Sequence, residues 1–123
     1  MGTQEITVEN IESTVASNDI VILDFWAEWC GPCKAFGPVF EAASERHADV
    51  AFGKIDTQAQ QQLAGQLGIS SIPTIMVFRE GALVFRQAGA LPPAAVDDLL
   101  GQIKALDMDA VREELAKQQA SPS

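Results

Sequence analysis

A chain of 123 residues, 47% of them hydrophobic, has the length and apolar content for one globular core, which excludes a disordered segment and leaves little room for a second full domain. Its net charge of −9 excludes the clustered Lys and Arg that phosphate backbones demand, so no nucleic acid is expected as a partner. No apolar run is long enough to span a bilayer, and no Lys or Arg precedes Lys34, so neither a membrane anchor nor a basic secretory leader is expected. The expectation is a cytoplasmic chain whose two cysteines, Cys30 and Cys33, are a reactive pair rather than a structural staple.

Residues 4–8 read as a short edge strand. Asn10 is placed to cap a helix with Ile11 and Val15 on one face. The run Ile20-Val21-Ile22-Leu23-Asp24-Phe25 follows, apolar on both faces apart from one carboxylate, as a central strand covered from both sides does. A helical pattern then covers residues 32–47, with Phe36, Val39, Phe40 and Ala43 as its apolar face, Pro32 in its first turn and Pro38 as a source of a kink. Residues 50–56 predict a strand, and Thr57 with Gln60 a capping box opening a short helix that carries Leu63 and Leu67 and ends at Gly68. Strands at 74–78 and 83–88 flank a turn over residues 79–82. Pro92 and Pro93 precede a helix with the stripe Val96, Leu99, Leu100, Ile103.

The order β-α-β-α-β-β-α predicts an α/β fold, a mixed sheet with helices on both faces and right-handed parallel crossovers. Beyond it, Asp107 is placed to cap an extra C-terminal helix, with Leu106 and Val111 as a staple and Met108, Val111 and Leu115 on one face. Glu113 and Lys117 form an i,i+4 pair, and residues 118–123 read as a frayed tail. The expected division is a domain over 1–105 and a helical extension with its tail over 106–123.

Chemistry concentrates where the central strand hands over to the next helix. A cysteine there faces unpaired N–H groups and the positive end of the helix dipole, which favour the thiolate, the nucleophilic form. Cys30, nearest the junction, is the expected nucleophile, and Cys33, one turn on and less exposed, the resolving thiol. The pair could also be half a zinc site, but structural zinc takes four ligands, and only His47, at the far end of the helix, adds a nitrogen. His47 reads as a solvated residue at a helix C-terminus. Asp24, in an apolar strand, is costly unless neutralised or hydrogen-bonded; burial raises a carboxyl pKa and suits it to accept a proton from Cys33. A structural Asp held by backbone donors is the alternative.

Residues 26–34, WAEWCGPCK, resemble the active-site signature of the thioredoxin family. Asp24, Pro38, Ile72-Pro73-Thr74, Gly81 and Gly89-Ala90-Leu91 match at the family's spacing, and the similarity runs from about residue 5 to about residue 104. The resemblance implies the thioredoxin fold and a protein-disulfide reductase cycling between a Cys30/Cys33 dithiol and a disulfide, with no bound cofactor or metal. Gly31-Pro32 is the family's dipeptide; oxidants and isomerases of this fold usually carry a His there. An oxidant, an isomerase or a thioredoxin-like binding subunit remains the alternative.

The family also implies a cis bond before Pro73, with the Ile72 backbone pairing to an extended substrate segment. Trp29, Gly31, Gly89 and Ala90 would border the groove, with Trp26 as a packing residue. The implied partners are an NADPH-dependent flavoprotein thioredoxin reductase and oxidised proteins, and the chain would act as a monomer. One position departs: where the family pattern has a lysine four residues before the acid ending the third strand, this chain has Phe52. Lys54, two residues on and on the same face, is the expected substitute.

Overall fold

The computed structural model describes residues 2–120, and side chains as far as residue 118. Its elements are β1 (Thr3–Glu5), α1 (Ile11–Ser17), β2 (Ile20–Trp26), α2 (Gly31–Arg46), β3 (Ala51–Asp56), α3 (Gln61–Gln66), β4 (Thr74–Arg79), β5 (Ala82–Ala88), α4 (Pro93–Lys104) and α5 (Met108–Ala120). Every residue of β2 but Trp26 is buried, because this strand occupies the middle of the sheet order β1-β3-β2-β4-β5. β1, β3 and β2 are parallel, and β4 and β5 run antiparallel to their neighbours. This is the mixed, two-sided sheet the apolar run foretold.

Strand alternation divides the core into two layers. Ile20 and Ile22 face Phe36, Phe40, Phe52, Val96, Leu100 and Ile103, the layer under α2 and α4. Val21, Leu23 and Phe25 face Ile55, Leu63 and Met76, with Ile11 and Leu67 packed against them, the layer under α1 and α3. Asp24 follows Ile20 and Ile22 in the alternation and so lies on the α2 face. Gly53 is required by the second layer: a Cβ there would come within 2.4 Å of Ile6 Cγ1.

Several local expectations give way to longer-range partners. β1 ends at Glu5 rather than at residue 8, as the Asn10 side chain accepts from the Thr7 N–H and donates to the Glu5 carbonyl, folding the chain into a turn. Asn10 therefore stands at the cap position of α1 without capping it. The Thr57–Gln60 box does not form either. Thr57 Oγ1 donates to the Trp26 carbonyl, Gln60 Oε1 accepts from the Val8 N–H, and Asp56 Oδ1 takes the N–H groups of Gln58 and Ala59. A carboxylate at the strand end outcompetes a hydroxyl for those donors, and α3 starts only at Gln61.

The expected turn over residues 79–82 forms, and the strands run to its ends. Arg79 and Ala82 pair, leaving Glu80 and Gly81 as the loop, both at positive φ (51° and 83°), the twist that two-residue hairpins favour. Freed for the strand, Arg79 reaches the end of α4 and donates through Nη1 to the carbonyls of Ile103, Lys104 and Leu106. His47 is not simply solvated: its Nε2 lies 2.7 Å from Asp97 Oδ1, which Arg46 also binds, so the C-terminus of α2 is tied to α4.

Asp107 Oδ1 accepts from the N–H groups of Asp109 and Ala110 and caps α5. Met108 is buried, Leu106, Val111 and Leu115 line a cleft with Leu83 and Val84 of β5, and Arg112 binds Glu80 in the hairpin turn. α5 therefore rests on the β5 side of the body. It includes Gln118 to Ala120, expected in the tail; residues 121–123 lie outside the described residues.

Candidate active site

β2 ends at Trp26, and Ala27, fully buried, fixes the turn into α2. Cys30 is the N-cap of α2: its backbone is extended (φ −90°, ψ 109°) and its Sγ accepts from the Cys33 N–H at 3.2 Å. A sulfur thus occupies the place of the usual capping oxygen, at the end where unpaired N–H groups and the helix dipole favour negative charge. Cys30 and Cys33 form a disulfide, their Cα atoms 5.2 Å apart. Gly31 and Pro32 are exposed in the first turn of α2.

The two cysteines are not separated by exposure as the sequence suggested: Cys30 is 4% and Cys33 3% accessible. The difference lies in surroundings. Cys30 Sγ faces the Ile72 carbonyl oxygen at 3.8 Å, a contact a thiol could make as donor, whereas Cys33 lies within α2, on its buried side. The sulfurs, Ala27, Trp26 and Ile72 form one small apolar cluster.

The Ile72–Pro73 peptide bond is cis and Pro73 is buried. The loop leading to it is held by Thr74 Oγ1, donating to the Ser71 carbonyl at 2.6 Å, and by the Gly89 N–H, donating to the Pro73 carbonyl at 2.8 Å. Gly89 has φ 102°, a conformation other residues rarely adopt, and nothing lies within 4 Å of where a Cβ would be. So the structure brings Gly89 to Pro73, while Ala90 lies exposed beside it. Trp29 is 68% exposed and, with Thr57, Ile69, Ser70, Ser71 and Ile72, lines a groove of about 270 Å³. Thr57 was expected only as a helix cap, Ser71 only as the start of the Ile72-Pro73-Thr74 match, and Ser70 was not singled out; the fold alone sets all three against Trp29.

Asp24 is wholly inaccessible, and neither carboxylate oxygen has a hydrogen-bond partner, so the backbone-satisfied alternative does not hold. Burial raises its pKa to about 7, while the Lys54 ammonium pulls the other way. Lys54 is opposite Asp24 in the β2–β3 register, with Nζ 4.9 Å from the Trp26 ring centre. A carboxyl near neutrality on the face covered by α2, which carries Cys33, can exchange a proton at working pH. Among the described residues no group of three or more His, Cys, Asp or Glu is placed to hold a metal ion.

A family model described as Thioredoxin matches residues 2–118. The chain is 58% identical over 119 residues to a protein described as putative thioredoxin 2 of Streptomyces coelicolor, covering 97% of this chain and 89% of that one. It is 40% identical over 102 residues to a thioredoxin of Mycoplasma pneumoniae, covering 83% of this chain and all of the relative. Among solved structures, a thioredoxin mutant from Halobacterium salinarum superposes with TM-score 0.79 at 32% identity, over 85% of this chain and 92% of the other. Chloroplastic thioredoxin z gives TM-score 0.79 at 33% identity, over 86% and 97%.

Proposed function

This chain belongs to the thioredoxin family, protein-disulfide oxidoreductases working by dithiol–disulfide exchange, and on that premise we propose how its own residues divide the work. In the reduced protein the Cys30 thiolate attacks one sulfur of a target disulfide. The Cys30–target bond forms as the target's S–S bond breaks, and the departing sulfur leaves as a thiolate. Cys33 then gives its proton to ionised Asp24, directly or through water, and attacks Cys30 Sγ. This closes the Cys30–Cys33 disulfide and releases the second target thiolate, so two electrons have passed to the target.

The observation that carries this reading is the sulfur pair at the N-terminus of α2, with the Ile72 carbonyl 3.8 Å from Cys30 Sγ. The Ile72 backbone beside the nucleophile would pair with an extended segment of the target, and Pro73 would hold that backbone in place. Trp29 would offer flat apolar contact at little entropic cost, while Gly31, Pro32, Gly89 and Ala90 leave the rim low enough for another chain to approach.

The oxidised pair would be recharged by an NADPH-dependent flavoprotein thioredoxin reductase, with no cofactor bound to this chain, which would act as a cytoplasmic monomer. No helix among the described residues is long and apolar enough to cross a membrane. We further assign residues 1–105 to the catalytic domain and 106–123 to an accessory extension.

The test is NADPH consumption with thioredoxin reductase and insulin as disulfide substrate. Wild type should turn over; Cys33→Ser should stall as a mixed disulfide visible on a non-reducing gel, and Cys30→Ser should form none. A glutathione titration should place the potential at about −270 mV; a value of about −120 mV would make the protein an oxidant instead.

A further inference from the structure

We propose that Arg86, on the outer strand β5, is a positioning residue for the substrate groove: it clamps the carbonyl end of α3 and so fixes loop 69–73, which faces the disulfide. This rests on the proposed use of the groove by substrate.

The carbonyls at the end of α3 can be accounted for one at a time. Gly68, at φ 71°, lets the chain reverse; its N–H donates to the Gly65 carbonyl at 3.1 Å, and the Ile69 N–H to the Ala64 carbonyl at 2.9 Å. Those two bonds close the helix in a Schellman motif but leave the carbonyls of Leu67 and Gly68 projecting past its end. Arg86 takes both: Nη1 donates to Leu67 at 2.6 Å and Nη2 to Gly68. A planar guanidinium matches two successive carbonyls as an ammonium cannot, and its charge lies at the negative end of the helix. Arg86 is in place because it pairs with Met76 on β4, and Met76 belongs to the core layer under α3.

The clamp ends where the groove begins. Ile69, Ser70, Ser71 and Ile72 form the wall opposite Trp29. The far end of that wall is tied just beyond β5, by the Gly89 N–H on the Pro73 carbonyl. The loop therefore hangs between two anchors three residues apart in sequence. Without Arg86 the Ile69 N–H still holds the Ala64 carbonyl, but the carbonyls of Leu67 and Gly68 lose their fixed partner, so the loop loosens between that bond and Pro73 while Cys30, Cys33 and Pro73 stay held. Recognition of a protein should suffer while the thiol chemistry does not.

Arg86→Gln and Arg86→Lys in the full chain test this. For reductase-coupled insulin reduction, Arg86→Gln should raise KM about two- to fivefold, the range expected for an exposed charge-assisted contact, with kcat unchanged. Arg86→Lys, able to reach one carbonyl, should fall between. The rate at which the reduced protein cleaves the small disulfide 5,5′-dithiobis(2-nitrobenzoate), which needs no groove, should stay at the wild-type value. Amide hydrogen exchange should quicken at residues 69–72 and not in β2 or β3. An unchanged KM overturns the proposal. So does exchange that quickens across the whole sheet while all rates fall together, since Arg86 would then support only stability. Wild type that cannot reduce insulin would sink the functional reading itself; wild type that can, matched by Arg86→Gln, sinks only the role of Arg86.

Discussion

Lys54 stands opposite Asp24 across the parallel β2–β3 ladder, on the sheet face that α2 covers. Two residues earlier, where the thioredoxin pattern carries a lysine, Phe52 is fully buried and makes an edge contact with Phe40, ring centres 5.1 Å apart. The strand has given the inner position to the core and kept its cation one alternation further along, where the ammonium rests over Trp26.

That arrangement makes the pKa of Asp24 depend on Lys54. Burial raises it and the lysine lowers it, with burial the larger effect. Lys54→Met should therefore move the Asp24 pKa further up. A carboxyl-carbon NMR titration of both proteins measures it, and an unmoved midpoint would remove Lys54 from the proton-transfer machinery.

Asp24 should also cost stability in a pH-dependent way. The unfolded chain releases this proton near pH 3.8 and the folded protein near pH 7, so the folded state holds a proton the unfolded state lacks between those values. Stability is undiminished below pH 3.8, falls as pH rises, and reaches its full penalty, on the order of 4 kcal/mol, above pH 7. Asp24→Asn should be more stable than wild type to urea at pH 8, by on the order of 4 kcal/mol, and nearly equal at pH 4. Equal stabilities at both pH values would contradict the buried, partnerless carboxylate.

Phe52→Ala should cost about 3–5 kcal/mol, because an aromatic ring with no exposed surface leaves a cavity that its neighbours in the α2–α4 layer can only partly fill. The urea midpoint measures this. A loss below about 1 kcal/mol would mean that the layer collapses onto the gap.

Deleting residues 107–123 should weaken the fold modestly and leave disulfide reduction intact. Among the α5 residues whose side chains are described, Met108 is the one that is buried, and burying such a side chain contributes about 1.5–3 kcal/mol. Thermal unfolding and insulin reduction of the truncated chain give the two readings. Loss of activity in a chain that still folds would place α5 in the working unit.

What the sequence determined by itself was what short-range chemistry decides. Alternation and an unbroken apolar run made β2 a central strand, the positions of Cys30, Gly31 and Pro32 set a sulfur pair at a helix N-terminus, and a lone carboxylate among Ile, Val, Leu and Phe marked Asp24. Each depends on neighbours within a turn or a strand, so periodicity reveals it. Only the tertiary structure decided where the polar side chains spend their hydrogen bonds. Thr57 went to Trp26 and not to its own helix, Asn10 turned backward, His47 found Asp97 fifty residues away, and Arg86 crossed to the end of α3. A polar side chain can satisfy many donors or acceptors equally well, and the winner is whichever one folding brings within 3 Å.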